Sequence, residues 1–477
     1  MQRTLLLVEP PKEYWFLMGE YLPPPMQLLQ LGAYVERELP DLRIELIDSQ
    51  AERLNFKDLR SRIERIEPDV VAVSGNMTCN AYTVARTVQL AKEVDREITT
   101  VVGGQHYSFL AEECLRDTPE LDFIVRSEGE GTFTELLRAV FGGAPVERVA
   151  GLSFRHNGTV VHNQDRPLIE DLDALPFPAY QLVERFLPLY HFRMMTGPGT
   201  RYFIVEGSRG CAHRCSFCTQ SPHWRHTWRT KSPERIAAEF TAIHERYGDG
   251  ESFMWLADDN FMLAHRGREF RDAMRTAGIG GDVSWFVQAR ADDLVRMRAL
   301  VPDIRSVGCR WILLGIEHDS EAVLRDLGKK LSIPTARDAV RILNDADIFS
   351  QATFIIGSRK ETAESVQGLR DFVSGLGAGL PIFMCLTPFP GTETYAEGLR
   401  NGWIEDHNWA HYDMAHAIMP TETLSRPRVQ EELYECYHSF YGSAMRGLKG
   451  LMSPNPLKRR TYSHMLKKRV LRELRGM

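Results

Sequence analysis

The chain has 477 residues, enough for two or three domains that each bury a core, and its 43% hydrophobic and 26% charged content excludes a disordered or fibrous protein. Its 58 Lys and Arg against 64 Asp and Glu give a formal net charge of -6, which excludes non-specific nucleic-acid binding by the whole molecule. No run of about 18 apolar residues occurs, and the apolar stretch of MQRTLLLVEPPKEYW is too short for a signal-peptide core, so a cytoplasmic location is expected.

Along the first 140 or so residues, short apolar runs alternate with helical stretches. Strands are expected at Thr4 to Val8, Arg43 to Ile47, Val70 to Ser74, Thr100 to Gly104 and Asp122 to Arg126, with helices at Met26 to Glu38 and Ala81 to Val94. Continuous apolar strands separated by helices predict a parallel, doubly wound sheet covered on both faces. Such sheets bind ligands at the C-terminal ends of their strands. Here those ends carry Ser74-Gly75, Gly103-Gly104-Gln105-His106 and Glu128-Gly129-Glu130-Gly131. Residues 143–199 change character, with a hairpin turning at Asn157-Gly158 and then a stretch through Pro176, Pro178 and Pro188, and read as an extended linker.

From about residue 200 the alternation resumes, with strands expected at Tyr202 to Glu206, Phe253 to Ala257, Ser284 to Gln288, Trp311 to Ile316, Gln351 to Ile356 and Pro381 to Leu386. Six such units predict a partial (β/α)6 barrel over 200–395 with its site at the strand C-termini. A mainly helical, aromatic region follows over 396–477. Of eight cysteines, three crowd into Gly210-Cys211-Ala-His-Arg-Cys215-Ser-Phe-Cys218, directly after the first barrel strand. A structural zinc site usually takes four Cys or His ligands, and His213 lies awkwardly between two of the thiols to be the fourth. A 4Fe-4S cube normally takes four cysteines, so three leave one iron open.

The C-x3-C-x2-C motif after the first strand of a partial barrel resembles the radical S-adenosylmethionine superfamily, in which Cys211, Cys215 and Cys218 would hold a 4Fe-4S cluster and the open iron would chelate S-adenosylmethionine (SAM). The resemblance implies a 5'-deoxyadenosyl radical and an external electron donor such as flavodoxin or ferredoxin. It also implies SAM contacts: Phe217 near the adenine, Asp258 of Asp-Asp-Asn receiving the methionyl amino group, Gln288, Arg290 forking onto the carboxylate, Glu317 accepting ribose hydroxyls, and Gly357 of Phe354-Ile-Ile-Gly357 with Glu361 at the adenine. A Rossmann-like domain over 1–142 ahead of such a barrel resembles the cobalamin-binding subfamily. Ser74, Gly103, Gly104, Gln105, Glu128, Gly129 and Glu130 would then meet the corrin, glycine allowing close backbone approach. The D-x-H-x-x-G signature is absent, its nearest site reading Asp48-Ser49-Gln50, which implies no histidine below the cobalt. His106 reads first as a hydrogen-bonded structural residue and second as a cobalt ligand.

Cys215-Ser-Phe-Cys218, with Trp224-Arg225 and Trp228-Arg229, is similar to the anaerobic magnesium-protoporphyrin IX monomethyl ester cyclases, whereas Leu386-Thr-Pro-Phe-Pro-Gly-Thr392 occurs more widely, including in methyltransferases. Methyl transfer to an unactivated carbon ranks first and oxidative cyclisation of a tetrapyrrole second. A cobalamin or iron-sulfur sensor would leave the SAM contacts unexplained. Small-molecule, lipid and tetrapyrrole substrates all stay open. Trp409, His411, Tyr412, Tyr434, Tyr437, Phe440 and Tyr441 suit either a cover over the barrel mouth or packing against its wall. The last 28 residues carry Lys458, Arg459, Arg460, Lys467, Lys468, Arg469, Arg472 and Arg475 against Glu473, a basic tail suited to anionic lipid or an acidic partner.

Overall fold

The computed structural model describes residues 2–12, 21–194, 196–197, 199–261 and 263–468. These fall into two compact units, one holding the N-terminal strand and residues 24–189, the other holding Tyr21–Leu22 and residues from 190 onward. Of the expected basic tail, the side chains of Lys467 and Lys468 and all of Arg469, Arg472, Glu473 and Arg475 lie outside the described residues.

In the first unit, β1 (Thr4–Glu9), β2 (Arg43–Asp48), β3 (Val70–Ser74), β4 (Thr99–Gly103) and β5 (Phe123–Val125) form a parallel sheet in the order β2-β1-β3-β4-β5. Every residue of β1 is buried, which is why its sequence is a continuous apolar run instead of an alternating one. Leu6, Val8, Val71, Val73 and Val102 meet Leu59, Ile63, Val84 and Val88 in one core. Each such side chain contributes about 1.5–3 kcal/mol. The winding reverses between β1 and β3, so the crevice of this sheet opens at their C-terminal ends.

The hairpin that the sequence places in a linker, β6 (Leu152–His156) and β7 (Thr159–His162), instead extends this sheet, β6 pairing antiparallel with β5. β5 is three residues long, and β6 covers an edge that would otherwise be bare. The proline-rich stretch is also tied to this unit. The Met26–Glu38 helix donates to it, Gln30 to the Pro176 carbonyl (3.1 Å) and Arg37 to that of Ala174 (2.7 Å), and the Ala179 amide donates back to the Leu29 carbonyl (3.1 Å).

In the second unit, β8 (Arg201–Val205), β9 (Ser252–Leu256), β10 (Val283–Arg290), β11 (Cys309–Glu317), β12 (Phe349–Ile356) and β13 (Leu380–Cys385) pair in chain order, all parallel, as an open six-stranded barrel. A short ribbon of Tyr21–Leu22 with His191–Phe192 packs inside it, Phe192 lying 6.3 Å from Trp311 and 6.4 Å from Phe286 between ring centres. Helices Glu393–Arg400, Arg426–Tyr441, Ala444–Leu451 and Pro456–Lys468 complete the unit. No described helix is long and apolar enough to cross a membrane.

The aromatic C-terminal region splits between its two expected tasks. Tyr437 and Tyr441 belong to the wall, their hydroxyls donating to the carbonyls of Phe383 (2.9 Å) and Pro381 (2.8 Å) on β13. Trp409 and Tyr412 instead join Phe217, Leu327, Ile355 and Leu386 in an apolar cluster beside the cysteine loop.

Candidate functional site

The three cysteines sit on a loop closed at its base by Ser208–Gly210 pairing antiparallel with Trp228–Thr230. Gly210 takes φ +90, and any side chain there would strike the Thr227 carbonyl, so only glycine closes this base. The loop is clamped along its length: the Ser216 amide donates to the Leu327 carbonyl (3.0 Å), and the Thr394 amide and hydroxyl donate to the Ser216 carbonyl (3.1 and 3.0 Å). All three thiols are free and partly buried. Burial pushes Cys218 up to about 12 and raises Cys211 and Cys215 as well, while Lys329 and Arg290 pull Cys215 the other way. The neutral thiol is thus favoured until a metal displaces the proton.

Asp258-Asp259-Asn260, at the end of β9, serves a purpose the sequence did not disclose. Asp258 is completely buried; its Oδ1 accepts from the amides of Gly207 (2.8 Å) and Ser208 (2.9 Å), and its Oδ2 pairs with the buried Arg266 guanidinium. Both oxygens thus hold the base of the loop. Asp259 Oδ2 accepts from the Gly210 amide (3.0 Å), and burial lifts its pKa to about 7. The Asn260 amide reaches the Cys211 sulfur at 4.0 Å. Three successive residues therefore hold three successive points of the cysteine loop's approach.

The other strand ends converge on the same end of the barrel. Arg290 spends Nε on Asp292 (2.9 Å) and Nη2 on the Lys330 carbonyl (3.0 Å), bonds that leave Nη1 unspent. Gln288 is half-buried, and its carbonyl accepts from the Phe261 amide (3.0 Å). Glu317 stands at a bulge in β11 with φ +67, a left-handed conformation costing about 1–2 kcal/mol. Its carboxylate accepts from the buried Lys329 ammonium (2.6 Å) and the Thr353 hydroxyl (3.1 Å). Gly315 lies against this pair, and a Cβ there, 2.6 Å from Glu317 Oε1 and 2.7 Å from Lys329 Nζ, would displace it. Gly357 takes φ +86, and its amide donates to Glu361 (2.5 Å), whose other oxygen meets His318 Nε2 (2.9 Å).

His318 links the ends of β11 and β12. Burial alone would lower its pKa, but hydrogen bonds to Asp319 and Glu361 outweigh it and raise the pKa to about 9. A raised folded pKa gives stability that is full below the unfolded value of 6.5 and is lost as pH climbs through 9. Chemical denaturation should therefore show about 3 kcal/mol less stability above pH 9 than at pH 6.5. A His318→Gln variant should flatten that slope, and an unchanged slope would clear His318 of it.

In the first unit, the glycines answer a local demand. Gly104 takes φ +111 and lies against the Gly75 backbone, which in turn leaves no space for a side chain beside Tyr107. These residues let β3 and β4 turn together, so a corrin need not be invoked to explain them. Ser74, Gly103, Gln105 and Gly129 are half-buried at the crevice edge, whereas Glu128 and Glu130 are buried, Glu128 accepting from the Ile169 amide (2.6 Å). Asp48 caps a turn by accepting from the Gln50 and Ala51 amides (3.0 Å each). His106 is buried edge-on to Tyr107 at 5.3 Å, and desolvation lowers its pKa to about 4, leaving the ring neutral.

The donor chemistry fits an iron-sulfur cluster with an open site: three soft thiols on one braced loop, with cations beside them. Among the described residues no three His, Cys, Asp or Glu side chains converge tightly enough for a single ion, and a cube needs its sulfurs spread wider than one ion does.

Residues 19–137 match the B12 binding domain, and residues 205–373 match the Radical SAM superfamily. The chain belongs to the cobalamin-binding radical SAM enzymes, whose cofactors are a 4Fe-4S cluster, SAM and cobalamin. It is 32% identical over 441 residues to an uncharacterized methyltransferase, PH0819, of Pyrococcus horikoshii, spanning 92% of both chains. It is 28% identical over 399 residues to the anaerobic magnesium-protoporphyrin IX monomethyl ester cyclase of Cereibacter sphaeroides, spanning 83% of this chain and 63% of the cyclase. The radical SAM methyltransferase TsrM from Kitasatospora setae, solved with cobalamin and a 4Fe-4S cluster, superposes with a TM-score of 0.71 over 100% of this chain and 99% of its own at 16% identity, a likeness of fold.

Proposed function

We propose that this enzyme methylates an unactivated carbon of a small-molecule substrate. The observation that carries the reading is the braced three-thiol loop at the C-terminal end of a partial barrel, in a chain whose other unit is a doubly wound sheet of the B12-binding family. Coverage favours methyl transfer over cyclisation, since the chain spans 92% of its methyltransferase relative and 63% of the cyclase. The Cys-Ser-Phe-Cys and Trp-Arg sequence keeps oxidative cyclisation of a tetrapyrrole as the second reading.

In this proposal Cys211, Cys215 and Cys218 hold the cluster, and Phe217, Gln288, Arg290, Glu317 and Gly357 bound the SAM site. Arg290 offers Nη1 to a carboxylate, and Glu317 offers lone pairs beyond those used by Lys329 and Thr353. Ser74, Gly103, Gly104, Gln105 and Gly129 border the corrin, while Glu128 and Glu130 support their loop from within. When bound, the cluster supplies the electron that makes a deoxyadenosyl radical from SAM, and cobalamin carries the methyl group. A small acidic flavoprotein or ferredoxin delivers that electron, and the basic C-terminal tail contacts an anionic surface.

The test needs no knowledge of the substrate. Reduced holoenzyme given SAM labelled on its S-methyl group, with no substrate added, should release S-adenosylhomocysteine and carry the label with the bound corrin. Deoxyadenosine without S-adenosylhomocysteine would instead favour the cyclase.

A further inference from the structure

We propose that the Ala444–Leu451 and Pro456–Lys468 helices form a docking surface for an anionic phospholipid bilayer. Among the described residues, nine large apolar side chains stand exposed, and five of them lie on this helical pair: Met445 (63%), Leu448 (54%), Leu451 (38%), Met452 (74%) and Leu466 (56%). The other four are scattered singly over the rest of the chain, as is ordinary for a folded surface. Met445 and Leu448, three apart, share one face of the first helix, and Met452 follows at its C-cap four positions on.

The opposite face is already used. Gly450 lies so close to the Tyr462 ring that no side chain would fit between the helices, and Leu457 and Thr461 are buried beside it. The outward apolar face is therefore not a misplaced core.

Charge selects the partner. Between Glu435 and Glu473 there is no Asp or Glu, but there are nine Lys and Arg, in a chain whose overall net charge is -6. Of these, Lys449, Arg459 and Arg460 are exposed in the structure. Apolar side chains alternating with cations on a short amphipathic helix match the boundary between headgroups and acyl chains, where each side chain meets its own kind. A second copy of the chain would bring two cationic faces together, which opposes a symmetric dimer here. Nucleic acid would satisfy the cations and leave the apolar side chains in water.

The helical pair attaches at the N-terminal ends of the barrel strands, through Asn455, between its two helices, donating to Asp347 (3.0 Å) just before β12, and the helix that leads into it ends on Tyr441, which donates to Pro381 at the start of β13. The cysteine loop leaves the opposite, C-terminal ends. The docking surface is thus separate from the catalytic end, and the proposal stands or falls apart from the methyl-transfer reading.

Flotation of the full-length reconstituted protein with phosphatidylcholine vesicles, with and without phosphatidylglycerol, tests it. Binding to the anionic vesicles should exceed that to phosphatidylcholine alone by about tenfold or more and should weaken as salt rises. A Leu448→Glu, Met452→Glu double variant should keep the iron content and circular dichroism of the wild type yet lose vesicle binding at low salt. Wild-type protein that stays with neither vesicle overturns the proposal. So does a variant that binds as well as the wild type, which would make the attraction purely electrostatic. A wild-type dimer that the variant dissociates would assign the face to a second copy.

Discussion

A Cys215→Ala variant is expected to hold no 4Fe-4S cluster and to cleave no SAM, while its first unit still folds and still takes up cobalamin. The three thiols are the soft donors that the cysteine loop gathers, and the loop is held from outside itself by Leu327, Thr394, Asp258 and Asp259. Removing one thiol therefore leaves the loop standing but deprives the cube of an anchor it cannot replace locally; among the described residues the remaining cysteines are scattered and, apart from Cys114, buried. Cys215 is the thiol whose proton the Lys329 and Arg290 charges help to displace, working against burial. The loss should be near total in iron content and in the cluster's absorbance after anaerobic reconstitution. Cysteine loop and corrin crevice belong to different compact units, so cobalamin binding serves as the internal control. Wild-type iron content in the variant would reject the cluster assignment.

The sequence discloses the strands of both sheets to within a residue or two because a strand buried on both faces is rich in apolar residues, as the Leu5–Val8 run within Thr4–Glu9 shows, although Phe349–Ile356 buries Ser350, Gln351 and Thr353 as well. It does not disclose what pairs with an edge. The Leu152–His156 strand alternates like any surface hairpin, and only the short β5 beside it makes its place in the sheet necessary. The cysteine triplet is legible because its spacing is local. Its supports are not, because they depend on partners distant in sequence. Asp258 reads as a free carboxylate until the amides of Gly207 and Ser208 and the guanidinium of Arg266 are found around it. Glu317 reads as a ribose contact, whereas the structure first gives it to Lys329, twelve positions on and equally buried. Gly104 shows the converse: its glycine suggests an approaching ligand, and the backbone of Gly75 already accounts for it. A signal that could have found the Asp258 clamp is Arg266 itself, an arginine facing inward on the helix that follows β9.

The Asp258 and Arg266 pair carries the second large effect. An isolated charge taken out of water is costly unless a partner and hydrogen bonds compensate it, so deleting one member of a buried pair is worse than deleting both. Arg266 is almost wholly buried, desolvation pulls its pKa down to about 9, and it still donates to the carbonyls of Phe261 (2.9 Å) and Gly207 (3.1 Å) and the Thr230 hydroxyl (2.6 Å). Asp258→Asn keeps an oxygen for the Gly207 and Ser208 amides but turns its amide nitrogen, itself a donor, toward the guanidinium, leaving the charge unmatched. The barrel unit should lose about 3–5 kcal/mol, measured by chemical denaturation of the full chain. Asp258→Ala should cost more, because two buried amides lose their acceptor as well, each worth about 1–3 kcal/mol. Adding Arg266→Met to Asp258→Asn should restore part of the loss, since it removes the stranded charge and leaves the amide bonds in place. Because the same carboxylate fixes the base of the cysteine loop, Asp258→Ala should also lower the yield of reconstituted cluster, while Asp258→Asn with Arg266→Met keeps it near wild type. Equal stabilities for the single and double Asn variants would show that the Gly207 and Ser208 amides, and not the ion pair, are what Asp258 is there to serve.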